Sequence, residues 1–298
     1  MTIRTVAIMS PGDMGHALGR VLRESGLRVI TCLRGRSART AALAGAAGIE
    51  DVADDETLVR EAGVLLSVLV PAEAQRLAER VAAALRVTGA DLLFVECNAI
   101  APQTVRAIAQ VVAAAGARVV DAGIIGGPPR PGTPGPRLYA SGEHAEEFAQ
   151  LRRHGLDVRV IGPETGQASG LKMCYAALTK GLTALATELL VAGRVLRLDE
   201  PLMAELRASQ PALLGWIERG VPGMPPKAYR WVGEMEEIAA TFGALGLPPQ
   251  IHEGAAALYR FVAQTPLGAE TPEARRRGQT LDEVVAVLAG TLDKSDPA

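Results

Sequence analysis

The chain of 298 residues has little aromatic content, 3% of the sequence. Its helices are therefore expected to pack through small side chains. Cysteine is also scarce. Cys32, Cys97 and Cys174 lie far apart, with none of the close spacings of a metal site. That argues against a disulfide framework and fits a reducing compartment. No charge of one sign dominates: 31 basic residues face 33 acidic ones, a formal charge of −2. A basic footprint for nucleic acid is absent. No charge-free run reaches the roughly 20 apolar residues of a membrane span. No charged and apolar leader precedes the first strand. These absences lead us to expect a soluble, cytoplasmic protein with no resident metal and no nucleic-acid or membrane partner. What is plentiful is apolar material, 48% against 21% charged, enough for one large or two ordinary domains.

The first half has the rhythm of strands alternating with helices. Residues 3–9 form a β-branched stretch, followed by a glycine-containing turn and helical spacing at Ala17, Leu18, Val21 and Leu22. Strands are expected at 27–32, 64–70, 91–96, 118–121, 138–141 and 157–161. Ser37 is placed to cap a helix over 38–47, and Pro71 and Pro102 open two more. This order predicts a Rossmann-type α/β domain, a parallel, doubly wound sheet over residues 1–165. Ligands of such sheets bind at the carboxyl ends of the strands.

A long apolar helix is expected over 166–197, with Ala168, Leu171, Ala176, Leu178, Leu182, Leu185 and Leu189 at helical spacing. A helix apolar on most sides is buried in a large protein or in an oligomer. Lys172 stands nearly alone in its first turns, either at a wet end or there for chemistry. After Pro201 the pattern is helical, broken at Pro211, at 221–226 and at 248–249. The expectation is an all-α domain over 166–298, with the long helix as its spine and a homodimer as the assembly.

The first turn, Ser10-Pro11-Gly12-Asp13-Met14-Gly15, resembles the dinucleotide fingerprint, with Ser10 in place of its first glycine. Gly12 lets the backbone approach a pyrophosphate and Gly15 lets helix and strand pack closely. A structural glycine turn is the alternative. The end of the second strand reads Arg34-Gly35-Arg36-Ser37 and has no acid for a ribose 2′-OH. Arg34 and Arg36 could hold a 2′-phosphate, and Ser37 at a helix start could donate to it. That favours NADP; an ordinary solvated basic turn is the other reading.

Five stretches in this order resemble the β-hydroxyacid dehydrogenase and 6-phosphogluconate dehydrogenase superfamily, over most of the chain. They are the fingerprint, Ser67-Val68-Leu69-Val70-Pro71, Glu96-Cys97-Asn98-Ala99-Ile100-Ala101-Pro102, Asp121-Ala122-Gly123-Ile124-Ile125-Gly126-Gly127, and Gly166 to Tyr175. The resemblance implies that Val70 lies beside the cofactor and that Asn98 bonds nicotinamide ribose or substrate; Asn98 could instead hold a loop. It implies that Ile125, Gly126 and Gly127 form a substrate loop, with Ile125 where the family has serine. It makes Lys172 the general acid/base. Ala176 replaces a family asparagine, and Thr179, near the same helix face, could compensate. Lys180 is expected to face a domain or subunit boundary, and Glu188 to be structural.

The segment 227–238 resembles the C-terminal domain of a less characterised, phosphogluconate-dehydrogenase-like branch. Glu234 falls where hydroxyacid members have an aspartate, and Gly233 where they have a lysine. Tyr229, Arg230 and Glu234 are candidate substrate residues; an amphipathic helix with Trp231 and Met235 in its core is the alternative. Three functions follow. The first is an NADP-dependent oxidoreductase acting on the carbonyl or secondary alcohol of a small polar molecule, carboxylate-bearing molecules being one class of candidate. The second is an imine reductase, a group that shares this plan but usually lacks the lysine. The third is a non-catalytic NADP-binding regulator.

Overall fold

The computed structural model describes residues 3–130, 132–272 and 274–292. The chain divides into two compact units, Met1–Met173 and Cys174–Ala298. The boundary falls seven residues into the long helix rather than before it, because the first turns of that helix pack on the sheet of the first unit.

The first unit is built on an eight-stranded sheet: β1 (Thr5–Met9), β2 (Arg28–Thr31), β3 (Glu50–Asp51), β4 (Val64–Ser67), β5 (Leu93–Glu96), β6 (Arg118–Ile125), β7 (Arg137–Ser141) and β8 (Asp157–Gly162). Their spatial order is β3-β2-β1-β4-β5-β6-β7-β8. The central strands are buried on both faces, so alternate residues serve two separate cores. Val6, Ile8, Val64, Leu66 and Val95 join Leu18 and Leu22 on one face. Ala7, Leu65 and Phe94 join Leu77, Val81, Val105 and Ile108 on the other. The helices are α1 (Asp13–Glu24), α2 (Ala38–Ala46), α3 (Asp55–Glu61), α4 (Ala74–Thr88), α5 (Pro102–Ala113) and α6 (Ala145–Phe148). Ser37 caps α2 by accepting from Thr40 N–H, as its position at the head of the apolar run implies.

Three expectations are corrected here. The sheet is mixed, since β7 runs antiparallel to β6. The described residues of the link between them, 126–130 and 132–136, carry no helix, and a chain without a crossover element returns antiparallel. Second, residues 121–125 belong to β6 rather than to a loop, because β7 pairs with them out to Ile125. Only Gly126 and Gly127 of the expected substrate loop lie beyond the strand. Third, β3 and α3 were not anticipated. β3 has two residues, too few for a period, while α3 is capped by Asp54, whose carboxylate accepts from Thr57 N–H at 2.8 Å.

α7 (Gln167–Val195) is one continuous helix of 29 residues, about 43 Å long. By length and composition it could cross a membrane when two charged residues are tolerated, yet half of that window is buried within the protein. It is less enclosed than its sequence suggests: Leu178 and Leu185 are 67% and 58% exposed. Alanines and threonines, including Ala184, Ala186, Thr183 and Thr187, make its buried face.

The second unit adds α8 (Asp199–Ser209), α9 (Pro211–Gly220), α10 (Ala228–Ala244), α11 (Gln250–Ala263) and α12 (Leu281–Leu292). Among its described residues no strand occurs. Its few aromatics are concentrated where α10 meets α11. Tyr259 is fully buried, meets Trp231 edge to face at 5.2 Å, and donates its hydroxyl to Lys180 O at 2.5 Å.

Candidate active site

The carboxyl ends of β1, β4 and β5 are tied into one row by backbone and side-chain bonds. Ser10 N–H donates to Val68 O at 3.0 Å, and Cys97 N–H to Ser67 O at 2.9 Å. Asn98 clasps the next turn: its Oδ1 accepts from Leu69 N–H and its Nδ2 donates to Ser67 Oγ at 2.9 Å. With 2% exposure, most of its bonding capacity serves the loop. Val70, one residue beyond that turn, is 38% exposed. The fingerprint, the Ser67–Val70 turn and Asn98 are thus brought together.

The glycines of the first turn have different work. A Cβ at Gly15 would stand 2.1 Å from Ser10 O and 3.1 Å from Ile8 Cγ2, so close packing of strand and helix excludes any side chain there. A Cβ at Gly12 would meet nothing within 4 Å. The space over Gly12 is open, and Gly12 gives α1 no side-chain cap. An uncapped N-terminus of a 12-residue helix beside an open glycine suits an anion such as a pyrophosphate. Asp13 departs from that chemistry by placing an acid in the first turn. Arg39 from α2 pairs with it, which offsets the charge.

At the end of β2, Arg34 is exposed and Arg36 half-buried. Burial holds the Arg36 guanidinium below its usual value, and the nearby Arg80 adds to the effect. Arg80 is held by two bonds to Asp55, at 2.8 and 2.9 Å. Two cations in reach of one another are favoured when a multivalent anion lies between them. Ser37 already spends its hydroxyl on Thr40.

Lys172 lies on the face of α7 that packs against β6. A Cβ at Gly123 would come within 2.7 Å of Ala168 O and 3.1 Å of Lys172 Cβ. The helix therefore sits on the strand at the one residue without a side chain. Two strand positions earlier, Asp121 is fully buried. Its Oδ2 accepts from Gly166 N–H, Ser169 N–H and Ser141 Oγ at 2.9, 3.0 and 3.0 Å, and its Oδ1 from Ser169 Oγ at 2.5 Å. Sequence motifs did not reveal this clamp. Its signal was an acid and a serine, Asp121 and Ser141, each ending an apolar stretch.

Glu96 sits beside Asp121 in the register of β5 and β6. Its Oε1 accepts from Asn98 N–H at 2.9 Å, while Oε2 is buried with no partner among the described residues. Burial pushes this carboxyl up to about 7, although Asn98 and Ser67 pull the other way. Burial and then Glu96 drive the neighbouring Cys97 thiol well above its usual value; the Lys172 charge pulls it back. Lys172, Glu96, Asp121 and Cys97 thus form one electrostatic cluster.

Ile125 is buried, while Gly126 and Gly127 are exposed beyond it. Gly126 has φ +124° and its Cβ position lies 3.0 Å from Pro136 Cα, so only glycine fits there. In the second unit, Thr179 Oγ1 donates to Tyr175 O of its own helix at 3.2 Å. Glu234 is paired with Lys180, whose ammonium also lies 5.4 Å from the centre of the Trp231 ring. Lys180 is therefore paired inside its own unit. Tyr229 is 60% exposed and Arg230 half-buried at the start of α10. Met235 is fully buried there and Trp231 half-buried, as an amphipathic helix requires.

Glu96 gives a pH test. Its folded value near 7 is above the usual 4.5. The stabilising contribution is complete below pH 4.5 and is lost as pH rises through 7. The loss is on the order of 3 kcal/mol for this fully buried group. Glu96→Gln is expected to abolish that loss, so urea unfolding at pH 5 and pH 8 differs less in the variant. An unchanged difference between the two pH values contradicts the assignment.

Residues 5–153 match the family described as the NAD binding domain of 6-phosphogluconate dehydrogenase, and residues 194–262 match a domain of unknown function, DUF1932. An uncharacterised 28.5 kDa protein of Methanothermus fervidus is 27% identical over 199 residues, 67% of this chain and 74% of that protein. A solved protein of unknown function with structural similarity to 3-hydroxyacid dehydrogenases has a TM-score of 0.65 at 28% identity, covering 87% of this chain and 96% of that one. Mycobacterium tuberculosis 3-hydroxyisobutyrate dehydrogenase, solved with L-serine, has a TM-score of 0.68 at 18% identity, covering 98% and 99%. The Aspergillus terreus reductive aminase, solved with NADPH and ethyl-5-oxohexanoate, has a TM-score of 0.54 at 18% identity, covering 91% and 97%. The last two likenesses show the fold alone. With half of its length matched and its strand ends arranged around an open glycine turn, the chain belongs to the 6-phosphogluconate dehydrogenase-like family of NAD(P)-binding dehydrogenase folds, with a DUF1932 C-terminal domain.

Proposed function

We propose that the chain is an NADP-dependent oxidoreductase that interconverts the carbonyl and secondary alcohol of a small polar substrate, with Lys172 as general acid/base. The observation that carries this reading is the seating of Lys172 against Gly123 of β6, the strand paired with β5, whose end leads to Asn98. When bound over that turn, the dinucleotide supplies or accepts the hydride. The first turn of α1 would hold its pyrophosphate, and Arg36, with Arg34 and Arg80 beside it, its 2′-phosphate. Gly126 and Gly127 offer backbone N–H groups to a carboxylate or another polar group. Lys172 gives a proton to the developing alkoxide in reduction and takes it in oxidation. An ammonium donor favours C=O chemistry over C=N reduction, where the substrate carries its own charge. The three free thiols support placement in the cytoplasm.

NADPH is expected to bind at least tenfold more tightly than NADH, and Arg36→Ala to narrow that gap with little change for NADH. Fluorescence titration of both cofactors checks it, and equal affinities sink the NADP assignment. Lys172→Ala is expected to lower kcat by about 10²–10⁴ with NADPH affinity kept. The assay uses a panel of aldehydes, keto acids, hydroxyacids and imines. Undiminished turnover removes the acid/base role; binding of NADPH with no turnover by the natural chain favours a regulator.

The assembly we propose is a homodimer. Leu171, Tyr175, Leu178 and Leu185 are exposed at intervals of three to four or seven residues along α7, an apolar stripe of helix-pairing period. It continues into an apolar groove of about 490 Å³ lined by Val191, Val195, Leu196, Leu258 and Phe261. A second copy covers one such stripe with another by two-fold symmetry. Light scattering after gel filtration should give a dimer, and Leu178→Glu with Leu185→Glu a monomer. A natural chain that runs as a monomer disproves it.

A further inference from the structure

α7 begins with a residue that cannot cap it. Gly166 has no side chain, and its φ of +106° turns the chain sharply into the helix. Every helix leaves its first N–H groups without an intrahelical partner. Here each of those groups can be accounted for. Gln167 N–H donates to Glu164 O at 3.3 Å. Ala168 N–H donates to Ser141 Oγ at 3.0 Å, and Ser141 Oγ itself donates to Asp121. Gly166 and Ser169 N–H both donate to Asp121 Oδ2. The cap of α7 is thus carried by β6 and β7. Asp121, Ser141 and Ser169 are 0%, 0% and 1% exposed, so water does not compete for these bonds.

Lys172 lies one turn further along. Ser169 and Lys172 are three apart and share a helix face. Asp121 and Gly123 are two apart and share a strand face. The Ser169–Asp121 bond and the Lys172–Gly123 contact are therefore successive rungs between the same two elements. From this geometry we infer that Asp121 is the positioning residue of Lys172. It anchors the first turn of α7 to the sheet and shares with the lysine the charge cluster around Cys97. The carboxylate also meets the positive end of the helix dipole, which strengthens its hold on the helix. This rests on the acid/base reading of Lys172 for its functional meaning, but its test does not.

Lysine occurs at only four positions, Lys172, Lys180, Lys227 and Lys294. Reductive methylation with ¹³C-formaldehyde then gives a spectrum in which Lys172 is assigned by its loss in Lys172→Ala. Its midpoint is read by titration without substrate. In Asp121→Asn the charge is removed, and the Lys172 midpoint is expected to fall by about one pH unit. Asp121 also acts on the Glu96 carboxyl, so the same pair of proteins is compared with Glu96→Gln in both, where that carboxyl no longer titrates. A midpoint that stays or rises overturns the charge coupling. Should Asp121→Asn not fold, Ser169→Ala keeps the carboxylate and breaks one of its bonds. Amide exchange at residues 169–172 is then expected to quicken tenfold or more while the rest of α7 holds. Unchanged exchange overturns the anchoring. Intact turnover in Lys172→Ala would instead defeat the acid/base reading and leave these two results standing.

Discussion

One buried carboxylate joins the two structural ideas of this chain. Asp121 ends the hydrogen-bonded overlap of β5 and β6 and begins the overlap of β6 and β7. It also receives the head of α7. Removing a charge so placed would leave several donors unpaired in a dry interior, each costing about 1–3 kcal/mol. The sheet, the helix start and the lysine are consequently fixed by one group. The glycine at position 123 is the steric counterpart: it lets the helix axis come close enough for those bonds to form.

The alternating half of the chain was legible because its signals are local. A β-branched run, a glycine turn and a capped apolar helix each declare themselves within a dozen residues, and Ser37 at the head of α2 is an instance. The direction of β7 was not legible, because antiparallel pairing depends on what the described residues of the 126–136 link do not contain. β3 was too short to carry a period. The long helix at 167–195 was plain from its composition, but composition could not say which leucines face outward. Its alanines and threonines fill the core, and several leucines are left exposed.

At the site, single residues with motif neighbours were easier to find than networks. Gly12, Gly15 and Lys172 stand in recognisable stretches. The bonds among Asp121, Ser141 and Ser169 span 48 residues from Asp121 to Ser169, and nothing local announces them. Glu234 stands in a charged, aromatic segment, and the fold pairs its carboxylate with Lys180. A charge on a helix is read correctly only when the facing helix is known.

Glu96 has a consequence for the whole molecule. The formal charge of −2 counts every carboxyl as ionised. Burial pushes this carboxyl up to about 7, so that count overstates the negative charge this position carries below neutral pH. One hydrogen held between β5 and β6 thus ties the charge of the folded chain to the dryness of its sheet.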